Sequence, residues 1–214
     1  MAHTAQNGNH GKTSGIVLHA AGGYDLLLSV LSLGREKKFR RRILSKANLV
    51  AGEHVLDIGC GTGTTAMLAK EIVGAQGLVC GVDASAQMIA RARRKASRAS
   101  LDIDFTQGLV ESLPFGDGQF DVVLSSMMLH HLPAKLRRQC ASEVRRVLKP
   151  GGRIFAVDFT TAPSEKGFIA HFHRHGHISF AELVEIFRQA GMTIRSSGEA
   201  GLVDLHYVLA TVPN

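Results

Sequence analysis

Three glycines at alternate positions separate a run of apolar residues from a helical pattern. Residues 55–64 read VLDIGCGTGT, and the helical pattern covers residues 65–72. Glycine permits a positive φ and lets a ligand approach where a Cβ would collide, and a helix N-terminus presents unpaired N–H groups. The segment therefore predicts a buried strand, a ligand-binding loop and a helix; the alternative is a tight turn that binds nothing. The loop contains Gly59, Cys60, Gly61 and Gly63.

The spacing of these glycines narrows the class of ligand. A dinucleotide-binding loop has the pattern G-x-G-x-x-G, whereas this chain has G-x-G-x-G and carries Thr64 where the third dinucleotide glycine would fall. The phosphate-binding pattern G-x-x-x-x-G-K-[ST] does not occur in the sequence. Asp57, inside the motif, would repel a pyrophosphate but would pair with an ammonium group. A ligand with an amino acid end and a nucleoside end fits both demands.

The glycine segment and three later segments together resemble the class I S-adenosylmethionine-dependent methyltransferases. The later segments are GVDAS at residues 81–85, FDVVLSSMMLHHL at residues 120–132 and LKPGGRI at residues 148–154. They stand in the order that the family shows and cover, with the glycine segment, about residues 50–160. The resemblance implies S-adenosyl-L-methionine as the cofactor and S-adenosyl-L-homocysteine as its product.

Asp83 ends the apolar run of residues 78–82. In a doubly wound sheet, a carboxylate at the end of a strand can accept hydrogen bonds from two vicinal hydroxyl groups, and the family places an acidic residue there on the cofactor ribose. The alternative is that Asp83 caps the following helix. The resemblance implies that Asp57 and the glycine loop hold the methionine portion. It also implies cofactor contacts at Ala84, Met88, Gly108, Leu109, Val110, Ser125 and Ser126.

Leu109 departs from the family pattern. Relatives commonly carry an acidic residue there, against the adenine amino group. The adenine would then be held by apolar contact and backbone N–H groups. Glu111 is either a displaced substitute or a solvent-facing side chain.

Several residues are candidates for contact with a methyl acceptor. His130 and His131 follow the fourth expected strand, where one of them would act as a base, since imidazole ionises near neutral pH; alternatively both only shape the pocket. Met127 would border the transferred methyl group. By analogy Tyr24 would approach the cofactor or substrate, or else be a core aromatic. His175 alternates with His171, His173 and His177, which suggests substrate contact, metal binding or a solvated face. The chemistry requires no metal.

The pattern of strands and helices predicts an α/β fold. The 214 residues, 45% of them hydrophobic, suit one well-buried globular domain. Alternating strand and helix patterns indicate a doubly wound, mostly parallel, seven-stranded Rossmann-like sheet whose last strand is antiparallel. We expect strands near residues 53–58, 78–83, 102–106, 119–125, 152–158, 192–197 and 203–211, and a late helix over residues 180–190. Residues 1–14 are expected to be a disordered tail, residues 15–49 an N-terminal helical cap and residues 50–214 the cofactor-binding domain.

Charge and cysteine usage bear on location and partners. Three cysteines without metal-ligand spacing suit a reducing cytoplasm, and the apolar run of residues 26–33 is too short to cross a bilayer. The net charge of +7 is concentrated in residues 35–42 and 91–98. These basic helices would contact an anionic membrane surface, or simply be solvated. Few aromatics accompany them, so we expect no nucleic-acid partner; the oligomeric state is not predicted.

Residues 24–49 also bear on the substrate class. Tyr-Asp, an apolar stretch, Ser-Leu-Gly and a basic helix resemble the opening of the ubiquinone/menaquinone biosynthesis methyltransferases. Those enzymes methylate a ring carbon of a lipid-tailed quinone precursor, which implies a small or lipid-like acceptor. Phospholipid N-methyltransferases and natural-product methyltransferases have similar openings. A catalytically inactive cofactor-binding regulatory protein and a nucleotide-binding oxidoreductase are the alternatives from other classes.

Overall fold

A computed structural model describes residues 36–160 and 178–214 of the chain. In this part of the chain, helices and strands alternate as the sequence predicts. The helices are α1 (Glu36–Leu44), α2 (Thr64–Val73), α3 (Ala86–Arg98), α4 (Ala134–Val147) and α5 (Phe180–Gln189). The strands are β1 (His54–Ile58), β2 (Leu78–Asp83), β3 (Asp104–Gln107), β4 (Phe120–Ser126), β5 (Leu148–Phe159), β6 (Thr193–Glu199) and β7 (Leu205–Thr211). Short 3-10 turns cover Ser45–Ala47 and Leu129–His131.

The seven strands form one sheet in the order β3-β2-β1-β4-β5-β7-β6. Strands β1 to β5 pair in parallel, and β7 lies antiparallel between β5 and β6. The order reverses between β1 and β4, which is the switch point where doubly wound sheets bind their ligands. The predicted fold class, including the antiparallel last strand, is confirmed.

The start of β5 differs most from the predicted strand boundaries, by four residues, and the start of β3 differs by two. β3 begins at Asp104 rather than at residue 102, because the Leu101 N–H donates to Ala96 and so closes the end of α3. β5 begins at Leu148, which pairs with Phe120 ahead of a register shift, so the strand runs through the glycine turn that precedes the predicted start. The other boundaries lie within two residues of those predicted.

Apolar side chains cover both faces of the sheet. One core cluster joins α1, α2 and α3 to one face, and includes Ile43, Leu124 and Phe155. The second cluster joins α4 and α5 to the other face. The alternation along β4 and β5 fixes this arrangement, since neighbouring residues of a strand point to opposite faces.

Only the end of the predicted N-terminal cap lies within the described residues. Ile43, Leu44 and Ala47 bury the inner side of α1 and the following turn. Arg153 of β5 holds this segment, because its guanidinium donates to the Ala47 carbonyl at 2.8 Å and pairs with the Glu53 carboxylate at 2.6 Å. The predicted tail, the first part of the cap with Tyr24, and the four alternating histidines that include His175 lie outside the described residues. Within the described ranges, no helix is long and apolar enough to cross a membrane.

Candidate functional site

The glycine loop connects β1 to α2, and its three glycines all have a positive φ. A Cβ added to Gly59 would lie 2.2 Å from Met128 Cγ, and one added to Gly63 would lie 2.6 Å from the Phe105 ring. Both of these glycines are therefore required by packing. A Cβ added to Gly61 would meet nothing within 4 Å. Packing does not explain the middle glycine, which fits a loop whose backbone a ligand approaches closely.

Asp57 is almost completely buried at the end of β1, with 1% of its surface exposed. The Ala66 N–H donates to this carboxylate, but Oδ2 has no hydrogen-bond partner in the part of the chain that the structure describes. Burial raises the pKa of Asp57 to about 7, against an opposing effect of Arg40. A buried carboxylate oxygen without a partner is costly, and a ligand ammonium group would satisfy it.

Asp83 ties the glycine loop to the end of β2. Its Oδ2 accepts from the Gly61 N–H at 2.9 Å, and its Oδ1 accepts from the Ser85 N–H at 2.8 Å. Burial raises the pKa of Asp83, and these two hydrogen bonds oppose that effect. The cap of α3 is Ser85, whose hydroxyl accepts from the Met88 N–H. Asp83 is therefore not the helix cap, and each of its oxygens retains a lone pair for a further donor.

The remaining residues expected to contact the cofactor lie along the same edge of the sheet. The Gly108 N–H donates to the Asp83 carbonyl, which places the turn after β3 beside the end of β2. Met88 and Val110 are buried, whereas Ala84 and Leu109 are partly exposed. These residues lie at the ends of β2 and β3, on the other side of β1 from β4, where the adenine would have to bind. Their individual roles stay predictions.

A cavity opens on the α1 face, beside the end of β4. Its wall is mainly apolar, and Leu124, in this wall, is the register partner of Asp57. Ser125 is buried, and its Oγ has no partner among the described residues. The full lining consists of Arg40, Ile43, Leu44, Thr65, Leu124, Ser125, Ser126, Met127, Phe155 and Val157.

His130 is buried, and Asp158 at the end of β5 fixes its ring. The Asp158 Oδ1 is hydrogen-bonded to His130 Nδ1, and Oδ2 accepts from the His130 N–H at 3.2 Å. The His131 ring lies against that of His130, with 4.0 Å between the ring centroids. His130 is thus a candidate base whose ring is oriented by a buried carboxylate.

Sequence reasoning missed two residues of this edge. Asp158 carries the signal that revealed Asp57 and Asp83, an acidic residue at the end of an apolar run. Lys95 of α3 donates to Thr62 Oγ1 at 3.0 Å and to Thr64 Oγ1 at 2.9 Å, and so ties the glycine loop to the neighbouring helix. No local pattern reveals Lys95, because its partners are more than 30 residues away in the chain.

Comparison with known proteins decides the family. Residues 55–152 match the family model described as a methyltransferase domain. A demethylmenaquinone methyltransferase of Shouchella clausii (strain KSM-K16) is 36% identical over 142 residues, which cover 66% of this chain and 59% of that protein. The matched segment, residues 55–152, is a methyltransferase domain of the class I S-adenosylmethionine-dependent type. S-Adenosylmethionine is therefore the cofactor for which this methyltransferase site is built.

Other relatives agree with this assignment. The ubiquinone/menaquinone biosynthesis C-methyltransferase UbiE of Xylella fastidiosa (strain 9a5c) is 37% identical over 144 residues, covering 66% of this chain and 56% of that protein. The chain thus spans about six tenths of the length of these curated relatives. A crystal structure of a SAM-dependent methyltransferase from Aquifex aeolicus shares the fold, with a TM-score of 0.72, 23% identity, and coverage of 83% of this chain and 92% of that one.

The described residues fit the methyltransferase cofactor. The Oδ2 of Asp57 suits the ammonium group of its methionine portion. The open side of Gly61 suits close approach to the backbone, and Asp83 has acceptor capacity for the ribose hydroxyls. Cys60 is buried within the loop, and burial raises the pKa of its thiol well above the usual value. Its side chain is part of the core cluster that joins α1, α2 and α3 to the sheet.

Proposed function

We propose that this chain transfers the methyl group of S-adenosylmethionine to a ring carbon of a lipid-tailed quinol. The observation that carries this proposal is the largely apolar wall of the cavity beside the end of β4, because Leu124 of that wall is the register partner of Asp57 and an aromatic ring packed there would lie next to the cofactor site. Relatives named demethylmenaquinone methyltransferase support the same acceptor class. The reduced ring is the reactive form, since a quinone ring is too electron-poor to attack an electrophile.

The residues of the site would act mainly by alignment. The bound cofactor supplies an electrophilic sulfonium methyl group. Asp57 and the glycine loop would fix its methionine end, and Asp83 its ribose. Met127 and Ser126 would border the reacting ring, while the apolar wall of the cavity excludes water. Holding two reactants in one orientation accounts for a large part of such a rate enhancement.

Methyl transfer to a reduced demethylmenaquinone with a short prenyl tail tests this proposal. The assay follows label from S-adenosylmethionine, and mass spectrometry locates the added methyl group on the ring. Phosphoethanolamine serves as the comparison acceptor, because an N-methyltransferase would methylate it instead. If only phosphoethanolamine became labelled, the quinol would not be the acceptor and the chain would be an N-methyltransferase. Saturable cofactor binding without transfer to either acceptor would favour a regulatory protein.

A lipid-tailed acceptor would be met at a membrane surface, and we propose that α1 contacts it. Five of the nine residues of α1 are lysine or arginine. Lys37 and Arg41 both pair with Glu71 of α2, at 3.0 and 2.6 Å, which orients α1 but neutralises part of its charge. Co-sedimentation with phosphatidylglycerol vesicles, compared with phosphatidylcholine vesicles, measures this contact. Equal binding to both would show that α1 is simply solvated.

A further inference from the structure

The turn between β4 and α4 packs directly on the glycine loop. Gly59 lies so close to Met128 that even a methyl group between them would overlap the Met128 side chain. His130 follows two residues later, in the 3-10 turn Leu129–His131. The backbone of this turn is also tied to β5, because the Met127 N–H donates to the Val157 carbonyl at 2.8 Å. The imidazole is thus held at the carboxyl edge of the sheet, in the turn that packs on the cofactor loop.

Asp158 belongs to the same edge. Ser126 and Val157 are register partners in β4 and β5, so Asp158 lies one residue beyond the last pair of the two strands. It is fully buried, and the Phe159 N–H donates to its Oδ1 at 2.8 Å. With the two contacts to His130, three donors fix this carboxylate. A carboxylate held in this way imposes both an orientation and a tautomer on the imidazole.

The geometry points to His130 as the general base of the methyl transfer and to Asp158 as the residue that positions it. This inference rests on the proposed function and names the acceptor more narrowly, as a ring that carries an ionisable hydroxyl group. The Asp158 carboxylate accepts hydrogen bonds only, so the ring proton of neutral His130 lies on Nδ1 and the lone pair on Nε2.

The proposed step is a single proton transfer. The O–H bond of the ring hydroxyl breaks, the proton forms a bond with His130 Nε2, and the electron pair stays on the oxygen. That pair raises the electron density of the ring carbon that is methylated. The buried Asp158 carboxylate stabilises the imidazolium so formed. After the carbon is methylated, its ring hydrogen leaves as a proton to solvent and the imidazolium returns its proton to the oxygen, which restores the aromatic ring before the next turnover.

Other ionisable groups surround the pair. His131 lies against His130 on the same turn. His206 of β7 is the register partner of Asp158, and its Nδ1 is 2.8 Å from Thr160 Oγ1. A pH profile alone therefore does not identify His130, and the experiment needs variants and a spectroscopic measurement on the ring itself.

Kinetics form the first part of the test. The kcat with the reduced demethylmenaquinone, measured at saturating S-adenosylmethionine so that the pH dependence of cofactor binding through Asp57 does not contribute, is expected to rise with pH near neutrality. His130→Gln should abolish that rise and lower kcat about 100-fold or more, with unchanged affinity for S-adenosylhomocysteine. Asp158→Asn should also lower kcat and should leave the affinity for S-adenosylhomocysteine unchanged. His54→Gln, at the start of β1 and the opposite end of the sheet, is the matched control and should retain the rise. An unaltered pH profile in His130→Gln would overturn the inference.

Nitrogen-15 NMR of the histidine rings forms the second part and needs no acceptor. In the complex of the wild-type chain with S-adenosylhomocysteine, neutral His130 should carry its proton on Nδ1, and Asp158→Asn should reduce that preference. A proton on Nε2 in the wild-type chain would refute the pair, whatever the acceptor is. Failure of the wild-type chain to methylate the quinol would instead refute the proposed acceptor, while the ring measurement would still decide the arrangement of His130 and Asp158.

Discussion

Replacing Asp57 by asparagine should separate the stability of the fold from its affinity for the cofactor. Burial raises the pKa of Asp57 from 3.8 to about 7. Between these two values the native chain keeps a proton that the unfolded chain has lost, so this residue makes the protein less stable as the pH rises from about 4 to 7. Each pKa unit corresponds to 1.36 kcal/mol, which gives a penalty of roughly 4 kcal/mol above pH 7. Asp57→Asn cannot ionise, and it should remove most of that penalty at pH 8 and little of it at pH 4.

Cofactor binding should show the opposite effect. If the ligand ammonium group binds the ionised form of Asp57, binding below pH 7 must first release the proton. The ionised fraction rises from about one tenth at pH 6 to about nine tenths at pH 8, so affinity should increase roughly tenfold over this range. The asparagine variant should bind more weakly at pH 8, with an affinity that changes much less with pH.

Scanning calorimetry of the free chain measures the effect on stability, and titration with S-adenosylhomocysteine measures the effect on cofactor affinity. Titrations in buffers of different ionisation enthalpy should show release of close to one proton at pH 6 by the wild-type chain. Asp121→Asn is the matched control, because Asp121 accepts from the His54 N–H at the start of the sheet, far from the loop. Equal affinities at pH 6 and pH 8 in the wild-type chain, with no proton released, would refute the assignment of Asp57 to the ammonium group.

Three further variants test the loop and its supports. Asp83→Ala should weaken S-adenosylhomocysteine binding at least tenfold, about the contribution of one charged hydrogen bond; unchanged affinity by calorimetry would count against a ribose contact. Gly61→Ala should lower affinity and lower the thermal midpoint only by the cost of its positive φ, about 1 kcal/mol. Gly59→Ala should lower the midpoint more, because its Cβ also overlaps Met128. Thermal unfolding with and without ligand compares the two variants, and the reverse ranking would contradict the packing argument. Lys95→Met should weaken binding by releasing the loop from α3, and an unaltered affinity would show that the loop holds its shape alone.

The sequence predicted the parts of this fold that depend on neighbouring residues. Residues 54–58 and 78–83 are apolar runs that end in or just after an acidic residue, and this local pattern predicted both strands and both carboxylates. The predicted start of β3 was two residues too early, because the Leu101 N–H donates to the Ala96 carbonyl and belongs to the C-terminal turn of α3. No alternation of apolar residues encodes such a bond.

The parts that were not predicted depend on residues distant in the chain. Asp158 and His130 are 28 residues apart and meet only because β4 and β5 are neighbours in the sheet. The β4 cavity needs α1 to pack over strands that follow it by some 80 residues or more. Register and helix packing decide such contacts, and neither can be determined from one sequence without the order of the strands.

The three carboxylates of this edge differ in how far the protein satisfies them. Asp57 retains an unpartnered buried oxygen among the described residues, so a cation from outside the fold would relieve it. Both oxygens of Asp83 accept from loop N–H groups, so a ligand hydroxyl can be added to the arrangement without replacing a protein donor. Asp158 accepts from three protein donors and is fully buried, which leaves it little to offer a ligand directly. Its effect must therefore pass through His130. All three residues are aspartates near the ends of strands, but the number of protein donors differs at each. That number sets what each carboxylate can still bind, and so gives each a different proposed role.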